Sequence, residues 1–193
     1  MQDYIKKHLL ESAEIKNSLA EKYIEEIAGI AKTCADAIKG GGKLMFCGNG
    51  GSAADSQHLA TELVVRLTVE SERQALPALA LTTDSSILTA CSNDYGFEHV
   101  FSRQVEALGC AGDVLIGIST SGNSPNVIKA ITTARKRRIK TIGLTGKKGG
   151  RLAEIADRSL QVPSDDVQRI QEAHITIGHI IIGLIEREIV KRV

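Results

Sequence analysis

The 193-residue sequence has no tryptophan and few other aromatic residues, which make up 3% of the chain. It also lacks any apolar run near the roughly 20 residues that a membrane-spanning helix needs. Its four cysteines, Cys34, Cys47, Cys91 and Cys110, are widely spaced and form no CxxC pair. This spacing argues against a disulfide framework and against a cysteine zinc cluster. We therefore expect a soluble protein whose cysteines are reduced and lie in the core.

An excess of charge of one sign is also missing, since 24 Lys and Arg residues balance 23 Asp and Glu residues. This balance gives no general reason to expect a nucleic-acid partner. The basic run "ARKRR" (134–138) is typical of a solvated helix end. The first 18 residues carry charges throughout a helical pattern and lack the apolar core of a signal peptide. We predict a cytoplasmic protein without a nucleic-acid or membrane partner.

Short apolar runs alternate with helical segments through the middle of the chain. The runs cover residues 43–48, 77–81, 113–119, 140–145 and 158–163. Such alternation predicts an α/β fold with a parallel sheet covered on both faces. Helical patterns at 3–20 and 22–39 form a hairpin before the sheet, and a long helix over 167–192 follows it. The length fits one domain, 1–193, and we expect part of the apolar helical surface to be buried between subunits.

Two loops that follow predicted strands have the composition of phosphate-binding loops. In "CGNGGSAAD" (47–55) the glycines permit a tight turn, and Ser52 is expected to be the N-cap of the next helix. In "ISTSGNSPNVIKA" (118–130) four hydroxyl side chains, Ser119, Thr120, Ser121 and Ser124, precede a helix with Pro125 in its first turn. Ordinary capping serines and turn glycines are the alternative. Neither loop matches a Walker or GxGxxG pattern, so a small phosphate ester is favoured over a nucleotide.

Histidine, glutamate and glutamine side chains form a candidate metal or proton-transfer site. His58 and Glu62 are four residues apart, so they share one face of a helix. Gln171 and His179 lie on one flank of the last helix, where polar groups in an apolar segment need partners. Two imidazoles, a carboxylate and an amide oxygen suit zinc or another divalent transition metal. A surface hydrogen bond between His58 and Glu62 remains the alternative.

Four stretches together resemble the sugar isomerase (SIS) domain, and within it the bacterial phosphoheptose isomerases. They are "CGNGGSAADSQHLATEL", "NDYGFEHVFSRQVEALG", "GDVLIGISTSGNSPNVIKAI" and "RIQEAHITIGHIIIGLIE". The resemblance covers essentially the whole chain. It implies a flavodoxin-like three-layer α/β/α domain with a five-stranded parallel sheet, assembled as a homotetramer. It also implies conversion of sedoheptulose 7-phosphate into D-glycero-D-manno-heptose 7-phosphate through an enediol, which supplies heptose for lipopolysaccharide or other surface glycans.

The same resemblance assigns roles to individual residues. One zinc ion per subunit is expected on His58, Glu62, Gln171 and His179, with Glu62 and His179 also the catalytic acid/base pair. The implied substrate-binding residues are Asn49, Gly50, Gly51, Ser52, Glu62, Asn93, Asp94, Ser119, Thr120, Ser121, Ser124 and Gln171. Among these, the four hydroxyl residues of the second loop hold the phosphate, and Asn93 and Asp94 contact sugar hydroxyls.

Three other functions are compatible with this kind of fold. A catalytically inactive relative that binds a replication initiator resembles these isomerases over its full length, but it lacks the Glu62 and His179 equivalents that this chain retains. A sugar-phosphate-sensing regulatory domain normally accompanies a DNA-binding segment, and no helix-turn-helix with a basic recognition helix fits before residue 40. An isomerase of another sugar phosphate would share the serine-rich loop, so pocket length decides between substrates.

Overall fold

Eight α-helices and five β-strands make up most of residues 1–69 and 72–189, the part of the chain that the computed structural model describes. The helices are α1 Gln2–Lys22, α2 Ile24–Lys39, α3 Gly51–Val64, α4 Ser85–Tyr95, α5 Val100–Leu108, α6 Pro125–Lys136, α7 Gly150–Ile155 and α8 Val167–Ile189. The strands are β1 Leu44–Gly48, β2 Ala78–Ala80, β3 Val114–Ser119, β4 Lys140–Thr145 and β5 Arg158–Gln161. A 3-10 turn, Phe97–His99, precedes α5.

The five strands form one parallel sheet in the order β2-β1-β3-β4-β5. This is the strand order of flavodoxin-like proteins, in which the chain reverses direction across the sheet between β1 and β3. Ligands of such sheets bind beyond the carboxyl ends of the strands at that reversal point. The predicted fold class is therefore confirmed, and the topology places the candidate site where β1 and β3 end.

Helices cover both faces of the sheet, because alternate residues of each strand point to opposite sides. On one face, Leu44 and Phe46 of β1 pack in a cluster that includes residues of α2, α3 and α8. On the other face, Met45 and Cys47 pack in a cluster with residues of α5 and α6. The result is the three-layer α/β/α arrangement that the sequence predicts.

The N-terminal helical hairpin is also confirmed, with α1 and α2 joined at Tyr23 and both packed against α8. The long last helix is confirmed to Ile189, and the rest of its predicted span, 190–192, lies outside the described residues. No helix within the described ranges is long and apolar enough to cross a membrane. An apolar groove on the outer surface of α1, α2 and α8 is lined by residues such as Ile24, Ile180 and Leu184.

Three of the four cysteines lie in the core as predicted, but the prediction is wrong for Cys110, which is exposed. Burial raises the pKa of Cys34 and of Cys47 to about 12, so these thiols stay protonated and unreactive at neutral pH. Cys110 lies in the turn between α5 and β3, and its backbone N–H donates to Asp113. Because Cys110 lies in this turn and not in a packed helix or strand, its side chain is exposed.

Candidate active site

The two glycine- and serine-rich loops leave the sheet side by side. They follow β1 and β3, which are hydrogen-bonded neighbours with Gly48 opposite Ile118. Both loops lead directly into helices, α3 and α6, whose free N–H groups point toward the same end of the sheet. This register places both loops at the carboxyl ends of adjacent strands.

The first loop turns at Gly50, whose φ of +54° lies in the left-handed region. Helix α3 consequently begins at Gly51, with Gly50 as its N-cap. The prediction that Ser52 is the N-cap is therefore wrong. Ser52 lies in the first turn of α3, its side chain is buried, and its carbonyl accepts a hydrogen bond from Ser56. A positive-φ residue was needed for the turn, and glycine supplies it without strain.

An amide pair, which sequence reasoning missed, joins the two loops. Asn49 Nδ2 donates to Asn126 Oδ1 at 2.9 Å, and Asn126 Nδ2 donates to Asn49 Oδ1 at 2.8 Å. Asn126 Oδ1 also accepts from the backbone N–H of Val127 at 2.9 Å, and the Asn126 side chain is buried. Because both amides are satisfied mainly by each other, this Asn49–Asn126 pair fixes the distance between the loops. The only sequence signal was a polar residue next to Pro125 in a helix that is otherwise apolar on its inner side.

The hydroxyl groups of the second loop gather at one point. Ser119 Oγ lies 2.9 Å from Ser124 Oγ and 3.5 Å from Ser121 Oγ. The loop turns at Gly122, with a φ of +66°, and an added Cβ there would overlap the carbonyl of Gly149. The backbone carbonyl of Thr120 accepts from Gly146 N at 3.0 Å, which ties the loop to the end of β4. The structure brings three of the four predicted hydroxyl residues together, and this cluster suits an anion such as phosphate.

Three of the predicted metal ligands converge between α3 and α8. His58 Nε2 lies 2.8 Å from His179 Nε2 and 3.3 Å from Glu62 Oε1. The ligand atoms of all three residues lie within 4.8 Å of one another. The His58 side chain is 48% exposed and the Glu62 side chain 18% exposed, so the cluster opens to solvent on the α3 side. Two imidazole nitrogens and one carboxylate oxygen in reach of one point are a donor set that fits zinc.

The fourth predicted ligand, Gln171, lies nearer the start of α3. Its side-chain amide is so close to Gly51 that a Cβ on that glycine would lie 2.6 Å from Gln171 Nε2. Along α8, Gln171 and His179 are separated by about 12 Å of helix rise. Gln171 is therefore placed between the glycine loop and the His58, Glu62 and His179 cluster, and its role as a ligand stays a prediction.

Close packing of α3 on α8 makes this convergence possible. Gly178, next to His179, faces Leu59, next to His58, and a Cβ added at Gly178 would lie 2.5 Å from Leu59 Cδ2. A residue with a side chain at position 178 would push the helices apart. The glycine therefore sets the short helix separation over which the two imidazoles meet.

Asp55 is a further polar residue near the cluster that sequence reasoning missed. It lies on α3 three residues before His58, and its Oδ2 is buried without a hydrogen-bond partner among the described residues. Burial raises the pKa of this carboxyl to about 6, while the nearby His58 opposes the rise. The i, i+3 spacing to His58 was the signal that could have identified it.

The two predicted sugar-contacting residues, Asn93 and Asp94, lie in the exposed last turn of α4. Asn93 Nδ2 donates to Asp94 Oδ1 at 2.8 Å, and the C-cap of α4 is Gly96, which has a φ of +93°. No hydrogen bond or ion pair among the described residues joins this pair to either loop, so the assignment of these side chains to the sugar stays a prediction.

Comparison with known proteins agrees with this geometry. A family model described as SIS domain matches residues 7–146. The chain is 51% identical to the phosphoheptose isomerase of Akkermansia muciniphila over 189 residues, which cover 98% of each protein. The structure of a phosphoheptose isomerase from Francisella tularensis superimposes with a TM-score of 0.92 at 38% identity, covering 96% of this chain and 98% of that one.

The phosphoheptose isomerase structure from Neisseria gonorrhoeae gives a TM-score of 0.89 at 45% identity, with 95% of this chain and 97% of that chain covered. These three matches cover 95% to 98% of this chain. The chain belongs to the SIS domain family and, within it, to the phosphoheptose isomerases.

Proposed function

We propose that the protein isomerises sedoheptulose 7-phosphate to D-glycero-D-manno-heptose 7-phosphate, acting as one SIS domain over residues 1–193. The observation that carries this proposal is the approach of His58, Glu62 and His179 to within 4.8 Å between α3, which begins at the first anion-type loop, and α8. Relatives that carry the phosphoheptose isomerase name at about half identity over the whole chain support it.

Substrate orientation is assigned to the two loops. The hydroxyl cluster of Ser119, Ser121 and Ser124, with Thr120 beside it, would bind the phosphate. Anchoring that end of a seven-carbon chain places the carbonyl end at a distance, toward the α3 and α8 cluster. The remaining proposed sugar contacts are Asn49, Gly50, Gly51, Ser52, Asn93, Asp94 and Gln171.

The chemistry moves one carbon-bound proton between adjacent carbons. Glu62, as carboxylate, would take the proton from C1 of the ketose, and the electron pair left behind forms the C1–C2 double bond while the C2=O π pair moves onto O2. His179 would give a proton to O2 to complete the enediol and then take the proton of O1, so that C1=O forms as Glu62 returns its proton to C2 to give the aldose. Glu62 suits this step because it is a partly buried carboxylate held by the α3 backbone beside the two imidazoles.

His58, Glu62 and His179 would hold a zinc ion, with Gln171 as the proposed fourth ligand. A bound zinc ion would polarise the substrate carbonyl and stabilise negative charge on the substrate oxygens. The fit rests on the two imidazole nitrogens and one carboxylate oxygen described above, which match the nitrogen and oxygen ligands of zinc sites.

The test is an isomerase assay on the chelator-treated protein with and without added zinc, following formation of the aldoheptose phosphate. Zinc-restored product supports both the reaction and the metal. Product that forms equally well in chelator and in zinc keeps the isomerase and removes the metal. If neither condition gives product, the substrate is another sugar phosphate or the protein is a non-catalytic relative.

A Glu62→Gln variant tests the acid/base assignment separately. We expect turnover to fall about 100-fold or more, since general acid–base catalysis is worth this much, while folding changes little. Glu106→Gln is the matched control, because Glu106 is an exposed helical glutamate that pairs with Arg103 three residues away on the same helix. Near-normal turnover of Glu62→Gln would assign the proton transfer to another residue.

We also propose a homotetramer. The apolar groove on α1, α2 and α8, together with the exposed side chains of Ile24 and Ile180, supports burial of this surface between subunits. Sedimentation at decreasing protein concentration tests the assembly, and a monomer at all concentrations would contradict it. A cytoplasmic location and a role in heptose supply for surface glycans follow from the same proposal.

A further inference from the structure

A buried ion pair lies just beyond the His58, Glu62 and His179 cluster. Arg73 Nε donates to Glu186 Oε1 at 2.7 Å, and the two side chains are only 2% and 7% exposed. Glu186 Oε1 also accepts from the backbone N–H of Leu67 at 3.2 Å. A buried pair of this kind contributes little net stability compared with apolar side chains of the same size, so stability alone does not account for it.

The same guanidinium binds the end of the helix that carries two of the cluster residues. Arg73 NH2 donates to the carbonyl of Glu62 at 2.8 Å, and NH1 donates to the carbonyl of Leu63 at 2.9 Å. The last carbonyls of a helix have no partner within the helix, and a cation there is favoured by the helix dipole. Arg73 therefore fixes the backbone at the residue whose carboxylate belongs to the cluster.

The acidic partner is on the other cluster helix. Glu186 follows His179 by seven residues on α8, which is close to two full turns, so the two side chains lie on the same face. Thus Arg73 contacts α3 at Glu62 and contacts α8 on the face that presents His179. On the other side of the cluster, Gly178 and Leu59 set the helix separation. The cluster of His58, Glu62 and His179 therefore lies between the apolar Gly178–Leu59 contact and the Arg73–Glu186 ion pair.

We propose that Arg73, held by Glu186, is a positioning residue that sets the distance and orientation of Glu62 relative to His179. It touches neither substrate nor metal, and it acts through the backbone carbonyl of Glu62. Its role rests on the proposed acid/base and ligand roles of Glu62 and His179. A small displacement of such groups lowers catalysis by as much as about 100-fold, and loss of supporting contacts weakens metal binding by about 10- to 100-fold.

The experiment compares two variants with the parent. The paired variant Arg73→Met with Glu186→Met removes both charges, so that no unpaired buried charge remains to destabilise the fold. Arg73→Lys keeps the charge for Glu186 but cannot span the carboxylate and both carbonyls, and it remains informative if the paired variant fails to fold. We measure kcat, KM, the zinc dissociation constant by chelator competition, and the melting temperature.

In both variants we expect kcat to fall about 10-fold or more and the zinc dissociation constant to rise about 10-fold or more. KM for the sugar phosphate should change little, because the serine loop is not touched. The matched control is Lys43→Met with Asp113→Met, which removes a pair at the amino ends of β1 and β3 whose atoms are 2.6 Å apart and whose side chains are 28% and 4% exposed. That control should leave kcat and zinc affinity unchanged whatever its melting temperature.

The positioning role is overturned if Arg73→Lys and the paired variant both keep parent-like kcat and zinc affinity. If Glu62→Gln is inactive in the same experiment, the proposed function still stands. Equal losses in the Lys43 and Asp113 control would also overturn it, since they would reflect general destabilisation. If Glu62→Gln proves active, the acid/base assignment fails, and the zinc affinity of the Arg73 variants still decides whether Arg73 positions the ligands.

Discussion

Acid should destabilise this protein through one buried histidine. His174 of α8 is fully buried, and its Nε2 lies 3.1 Å from the carbonyl oxygen of Thr145 at the end of β4. Its Nδ1 has no partner among the described residues. Burial lowers the pKa of His174 from 6.5 to about 4, and the Thr145 carbonyl offsets only part of this effect. The folded protein therefore holds this imidazole neutral under conditions in which the unfolded chain protonates it.

The direction in which pH changes the free energy of unfolding follows from the number of protons that each state binds. Between pH 6.5 and 4 the unfolded chain binds more protons at His174 than the folded protein does, so the free energy of unfolding decreases as the pH falls. The stabilisation is fully present above pH 6.5 and is lost as the pH falls toward 4. The full difference corresponds to about 3 kcal/mol per subunit, of which about 2 kcal/mol is lost between pH 7.5 and 5.

The assay is urea unfolding at fixed protein concentration at pH 7.5, 6 and 5, for the parent and for His174→Gln. Glutamine keeps an N–H donor for the Thr145 carbonyl but does not titrate, so the variant should lose about 2 kcal/mol less than the parent over this range. His99→Gln serves as the control, because His99 is half-buried beside Lys129 and not in the core. The same loss in parent and His174→Gln would refute the assignment to His174.

Three other predictions follow from contacts described above. Gly178→Ala should cost about 1–3 kcal/mol of stability and weaken binding of the proposed zinc ion, and adding Leu59→Ala should recover part of that zinc affinity, as unfolding and chelator competition can measure. A thiol reagent at pH 8 should label Cys110 rapidly in the native protein, and rapid labelling of a second thiol would contradict the burial of the others. Asn126→Ala should raise KM by about 10-fold with little change in kcat, and an unchanged KM would show that the loop spacing does not depend on the amide pair.

The layers of the fold were readable from the sequence, because buried parallel strands are continuous apolar runs and covering helices have a 3.6-residue period. The predicted ends of the strands were less accurate for the two strands at the edges of the sheet. Strand β2 covers Ala78–Ala80 and not 77–81, and β5 ends at Gln161 and not at 163. Edge strands pair on one side only, so few hydrogen bonds fix where they end. The strand order depends on contacts between distant segments, so the residues alone did not predict it, and the family resemblance implied only a flavodoxin-like sheet.

The candidate site was predictable where one helix carried both members of a pair. His58 and Glu62 are four residues apart, and this spacing alone places them together. Arg73 was not predictable, because its partner Glu186 is 113 residues away and its other contacts are to backbone carbonyls. Asn126 was missed for the same reason, since its partner Asn49 lies on another loop. The error at Ser52 came from a backbone angle at Gly50 that composition does not specify.

The exposure of the metal-type cluster has an evolutionary consequence. His58, Glu62 and His179 are exposed or half-buried and belong to neither apolar cluster of the core, whereas the anion-type loops are held by their own hydrogen bonds at the strand ends. Replacement of these three side chains would therefore cost little folding free energy and would leave the proposed anchor for a phosphorylated ligand intact. A gene duplicate could lose turnover and keep recognition, so the scaffold offers a short mutational route from catalyst to sensor.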